Sequence, residues 1–126
     1  VEIDIKEYLN TNKELTNLIG NDRFFPIFTT DTEKPSIVYT FTPINGGHIK
    51  QSQLELKIIW SDYDQVKEIE TNINKIMDME EDKPFIVYGN TYFRSSLSGG
   101  GLLFRDDLQM YEDTLMFIIT WRCNNG

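Results

Sequence analysis

The sequence predicts an α+β fold: a mixed, mainly antiparallel sheet with two main helices packed on one face. Three observations predict it. Apolar residues recur at helical spacing in two stretches, at residues 3–19 and after Ser61. β-Branched and aromatic residues alternate in the segments between and after them. The order (helix, three extended segments, helix, hairpin, long last strand) is not the regular alternation that builds a parallel α/β sheet. With 126 residues and neither an internal repeat nor a linker, one domain over 1–126 is expected.

Ile3, Ile5, Tyr8, Leu9, Leu15, Leu18 and Ile19 share one helical stripe, and Gly20-Asn21 is a stop signal. A break is foreseen near Asn10-Thr11-Asn12. Thr11 or Asn12 would then cap a second segment, with Glu14 near the capping-box position. Phe24 to Phe28 is aromatic but interrupted by Pro26, which cannot donate to a ladder, so it reads as an edge strand or extended connector. Ser36 to Thr42 alternates Ile, Val, Tyr, Thr and Phe. Gln53 to Trp60 puts Leu54, Leu56, Ile58 and Trp60 on one face, with Glu55 and Lys57 on the other. These two strands form a long hairpin with its tip around Asn45 to Gln51.

Ser61 is the expected N-cap of the clearest helix, with Asp62 and Asp64 in its first turn, where the helix dipole favours anions. Its buried stripe is Val66, Ile69, Ile73, Ile76 and Met77, with Lys67, Glu70, Asn74 and Lys75 towards water. Glu80 to Pro84 ends it. Gly89-Asn90 between Phe85–Tyr88 and Thr91–Phe93 is a two-residue hairpin signal. Thr114 to Arg122 is apolar on both alternating sets, which predicts a central strand covered in part on both faces. Ser95 to Asp107 fits no element. Three glycines are costly to order, and Leu102, Leu103 and Phe104 follow with no clear period. This stretch reads as a flexible loop whose apolar end packs on its own domain or docks on a neighbouring subunit.

Charge narrows the function. Twelve basic against 20 acidic side chains leave a net charge of −8, and the bases are scattered. Phosphate backbones demand clustered Lys and Arg, so direct nucleic-acid binding is not expected. No apolar run approaches the roughly 20 residues of a membrane helix. Val1 to Lys6 carries acids where a leader carries bases, so no leader is expected. The one cysteine, Cys123, has no partner for an internal disulfide, which suits a reducing compartment.

Candidate chemistry is sparse. His48, the only histidine, stands beside Gly46-Gly47 with no local Asp, Cys or second His, so an exposed turn residue is the simpler reading than a triad or zinc ligand. Cys123 lacks a neighbouring base and reads as a passive thiol. Ser98-Gly99-Gly100-Gly101 lacks the Gly-Lys-Ser/Thr of a phosphate loop and the spacing of a dinucleotide fingerprint. The acid pairs Asp62/Asp64, Glu80/Glu81/Asp82 and Asp106/Asp107 do not alternate as a calcium loop requires, and read as helix caps and solvated loops. No enzyme, cofactor or metal site is expected.

Leu15-Thr16-Asn17-Leu18-Ile19-Gly20, then Arg23-Phe24-Phe25-Pro26, Lys34-Pro35-Ser36-Ile37-Val38-Tyr39 and Trp60-Ser61-Asp62-Tyr63, follow one another in a layout that resembles the tail-completion, tail-terminator or head–tail joining proteins of long-tailed bacteriophages and their prophages. The resemblance covers about residues 3–122 and rests on hydrophobic patterns; it does not account for Gly99 to Asp107. It implies a ring-forming virion protein, in that family commonly a hexamer, that caps the tail tube and presents a surface to the head connector. The partners implied are copies of itself, the tail-tube protein and the head connector protein. The residues expected at such contacts are Gly99, Gly100, Gly101, Leu102, Leu103, Phe104 and Arg105, together with Gly46, Gly47 and His48 at the hairpin tip. The alternatives are another minor virion protein, such as a minor capsid or tail-tube component, and a small-molecule-binding α+β domain with Tyr39, Trp60 and Tyr92 lining a pocket.

Overall fold

The computed structural model describes residues 2–20, 23–26, 35–47, 49–79, 85–107 and 109–123. The alternating segments pair as a hairpin of β2 (Ser36–Asn45) and β3 (Lys50–Trp60), in a sheet that also contains β1 (Phe24–Pro26), β4 (Ile86–Tyr88), β5 (Thr91–Arg105) and β6 (Met110–Cys123). The strand order is β1-β2-β3-β6-β5-β4. β1 runs parallel to β2, and each of the other pairings is antiparallel. The mixed sheet curls into a half-barrel.

Register explains the core. Ile37 faces Ile58 and Tyr39 faces Leu56 across β2–β3, while Leu54 faces Phe117 and Leu56 faces Leu115 across β3–β6. All these side chains therefore lie on one face of the sheet, joined there by Phe93 and Ile119 in one buried cluster. Against that face lie the buried stripes of three helices, not the two main helices expected: α1 (Glu2–Asn10) gives Ile5 and Leu9, α2 (Lys13–Ile19) gives Leu15 and Ile19, and α3 (Tyr63–Met77) gives Val66, Ile69, Ile73 and Met77. β6 sits between β3 and β5. Its second set, Met116, Ile118 and Thr120, is half-buried on the opposite face, so the strand apolar on both sides occupies the interior of the sheet.

Local chemistry sets the helix ends. The Thr11 and Asn12 amides donate back to Glu7, Tyr8 and Leu9 carbonyls and close α1. The Asn12 side chain then accepts from the Leu15 amide at 3.0 Å and starts α2. At α3 the N-cap is Asp62 and not Ser61: the Asp62 carboxylate accepts from the Gln65 amide at 3.2 Å. α3 stops at Met77, and the proposed stop at Glu80 to Pro84 lies outside the described residues. Gly89 turns the β4–β5 corner with φ +59.

The largest correction concerns residues 95–105. They form no flexible loop but the continuation of β5, paired with β6 from Thr91↔Cys123 to Arg105↔Met110. The pairing shifts register between Leu97 and Gly99. An extra residue opens a bulge there, and the glycines serve it: Gly100 has φ +153, and a side chain on it would run into the Thr114 carbonyl.

Candidate interaction surface

β5 is covered along only part of its outer edge. β4 pairs with Thr91 to Phe93. Just past α3, the Met79 amide donates to the Ser95 carbonyl at 3.0 Å, and the Asp78 carboxylate accepts from the Leu97 amide at 3.1 Å. From Ser98 to Arg105 no strand lies beside that edge among the described residues. On the other side of the sheet β1 covers only Ile37 to Tyr39 of β2, and no strand lies beside Thr40 to Asn45 among the described residues. That second edge is blunted by Pro43, which donates no N–H, and by a register shift between Pro43 and Asn45. The β5 edge carries neither proline nor an inward charge, and its own register shift, between Leu97 and Gly99, lies at the start of the uncovered stretch.

The expected contact residues divide by face. Leu102 pairs with Asp113 and Phe104 with Tyr111, on the side of the helices. Leu102 packs against the core, and Phe104 meets Tyr111 edge-on at 5.0 Å, with Tyr63 of α3 on the far side of Tyr111 at 5.5 Å. Leu103 pairs with Glu112 on the opposite face and is 50% exposed. The three apolar residues therefore divide: Leu102 belongs to the domain's own packing, while Leu103 and Phe104 are both exposed, on opposite faces of the strand, Phe104 (44%) in edge-on contact with Tyr111. Gly99 and Gly101 face open space, with no heavy atom within 4 Å of an added Cβ.

Arg105 is tied down. Its guanidinium binds Asp107 at 3.0 Å and Glu112 at 3.1 Å, and Glu112 in turn receives Lys57 at 3.3 Å, which also reaches Glu55 at 3.5 Å. The hydrogen bonds it donates to Asp107 and then to Glu112 raise the Arg105 pKa further. Partial burial acts to lower the Lys57 pKa, but Glu112 and Glu55 outweigh it and raise it. This ladder of alternating charge crosses β3, β6 and β5 on the face opposite the helices.

At the other end of the strands lies the β2–β3 tip. Gly46 and Gly47 are exposed there, Gly47 with φ +117, and His48 lies outside the described residues. Sequence reading missed the neighbours of these glycines: Ile44 and Ile49 are 51% and 52% exposed and make the tip apolar. The β5–β6 tip, with Asp106, Asp107 and Gln109 described, lies at the opposite end, because Lys50 pairs with Trp121 and Trp60 with Tyr111.

Among the described residues no catalytic constellation assembles. Among the described residues no group of three His, Cys, Asp or Glu could hold a metal ion. Tyr39 faces the helices among core residues, and Trp60 donates to Gln65 at 2.6 Å. Tyr92 lies under Arg122 at 4.3 Å. Trp60 and Tyr92 pair with Tyr111 and Arg122, eleven residues apart on β6, which is roughly 36 Å of strand, so these rings line no common pocket. A cavity of about 210 Å³ lies between Met79, Phe85, Arg94 and Ile118, and an open groove of about 500 Å³ runs between Asn12 to Glu14 and Asn72 to Ile76.

One buried polar group stands apart. Asp113 is 1% exposed, and burial first, then the charge and hydrogen-bonding reach of Glu70, push its pKa up to about 7 against the opposing pull of Lys67. The signal was present in the sequence: Asp113 is in phase with Leu115, Phe117 and Ile119, the inward set of β6. Lys67 and Glu70, read as facing water, are half-buried beside it.

No protein-family model matches the chain, and no curated protein sequence matches it. It is similar in structure to a chain of the solved virion of a native gene transfer agent particle, at TM-score 0.73 and 8% identity, over 96% of this chain and 93% of that one. At that identity the likeness is one of fold.

Proposed function

We propose that this chain is a non-enzymatic structural protein of a phage-like particle. Copies join head to tail into a ring at the head-proximal end of a tail, where the ring ends tube growth and joins tail to head. The observation that carries the reading is the bare β5 edge from Ser98 to Arg105, in a fold that a virion chain shares along nearly its whole length. A row of unpaired backbone groups is a template for another strand, and unprotected edges of this length are rare in chains that stay alone. Ring contacts are heterologous, so unlike surfaces must meet. Here the edges without a neighbouring strand lie on opposite sides of the sheet.

Gly46, Gly47 and His48 at one end, and the β5–β6 tip at the other, give the ring two unlike axial faces. One is for the tail-tube protein and one for the head connector protein. A hexamer is the expected ring, in the virion and, during assembly, in the host cytoplasm. Membrane and direct nucleic-acid binding have no part in it.

Sedimentation velocity over a concentration series, with and without tail tubes, tests the proposal. A discrete oligomer, or a species that caps tubes, is expected. A strict monomer that ignores tubes would overturn it, and co-polymerisation along tubes would point to a tail-tube component instead.

A further inference from the structure

We propose that Asp113 and Glu70 share one proton in the folded chain, making the seat of α3 against the far end of the β5–β6 hairpin a proton-sensitive contact. The geometry carries this. Asp113 is buried on the helix side of β6, and its Oδ2 has no hydrogen-bond partner among the described residues. Its cross-strand neighbours are apolar, Ile58 of β3 and Leu102 of β5. Along β6 it stands between Tyr111 and Leu115 on the same face. The charged groups that face it are on α3: Glu70, within hydrogen-bond reach, and Lys67, whose ammonium donates to Glu70 Oε2 at 3.2 Å. Tyr63 stands one turn before Lys67 on α3, its ring 5.9 Å from the Lys67 ammonium.

An ionised Asp113 would be a buried carboxylate with an orphaned oxygen beside a second carboxylate, and one lysine cannot compensate both. A neutral Asp113 donates its O–H to the Glu70 carboxylate, which stays paired with Lys67. The orphan is satisfied and one negative charge disappears. Loss of the proton leaves two carboxylates facing each other, under the helix turn that begins with Tyr63 and meets the Tyr111–Phe104 stack.

The test is stability against pH on the full chain. Asp113 is held near pKa 7 when folded, against 3.8 as an ordinary aspartate, so between those values the folded chain keeps a proton that the unfolded chain has released. Stability must therefore fall as pH rises, the folded-to-unfolded ratio dropping up to about tenfold per pH unit, and level off above about pH 7. Asp113→Asn, which can donate an N–H to Glu70 at any pH, is expected to remove one proton's worth of that slope. Glu70→Gln supplies a donor to an ionised Asp113 and is expected to move the fall to lower pH, a readout that remains if Asp113→Asn does not fold. Equal slopes in the parent and Asp113→Asn, or no displacement in Glu70→Gln, would overturn the proposal. Neither result depends on whether rings form.

Discussion

Gly100 and its neighbours show how one sequence feature carries two physical meanings. Three consecutive glycines look the same on paper, but only Gly100 has a left-handed φ and a backbone carbonyl where a Cβ would go. Gly100→Ala is expected to cost about 1–3 kcal/mol and to loosen β5 from β6, seen as a lower melting temperature. Gly99→Ala and Gly101→Ala meet nothing and remove unfolded-state freedom, so each is expected to be neutral or to stabilise by about 0.4–1 kcal/mol. The same contrast applies at Gly89, where a Cβ would sit 2.6 Å from the Asp4 carboxylate that accepts from Thr91 at 2.6 Å. Gly89→Ala is expected to destabilise, through both φ and this contact.

Elements whose signals are local were legible, and those built by long-range pairing were not. The α3 stripe and the β2–β3 alternation each lie within one stretch of chain, and the structure places them there. The α1–α2 break was legible too, since an asparagine cap acts over three residues. Asn12→Ala is expected to cost about 1 kcal/mol, measured by urea unfolding. The far half of β5 was not legible. Glycine and an aperiodic Leu-Leu-Phe argue for a loop, and only the partner strand, which begins at Met110, makes this segment extended. The Asp113–Glu70 pair was equally hidden, because nothing in sequence order links β6 to α3. The division of Leu102, Leu103 and Phe104 between two faces also revises what mutation should do. Leu102→Ser is expected to lower stability because that side chain packs on the core, whereas Leu103→Ser should leave stability within about 0.5 kcal/mol. Chemical denaturation of the two variants separates them.

At the scale of the whole molecule, the buried stripes of the helices and one face of the sheet form a single core, and among the described residues no strand lies beside the β5 edge beyond Leu97. In the proposed ring, this arrangement would supply a contact row for another strand and different hairpin tips at the two ends. The most direct measurement compares sedimentation of the parent chain with that of Leu103→Lys, an edge lysine at an exposed position, both checked for melting temperature. The account predicts that the parent forms a discrete oligomer and that the variant, equally heat-stable, sediments as a smaller species. An unchanged oligomer in the variant would contradict assembly through this edge, and a parent that stays monomeric at every concentration, tubes present or absent, would contradict assembly altogether.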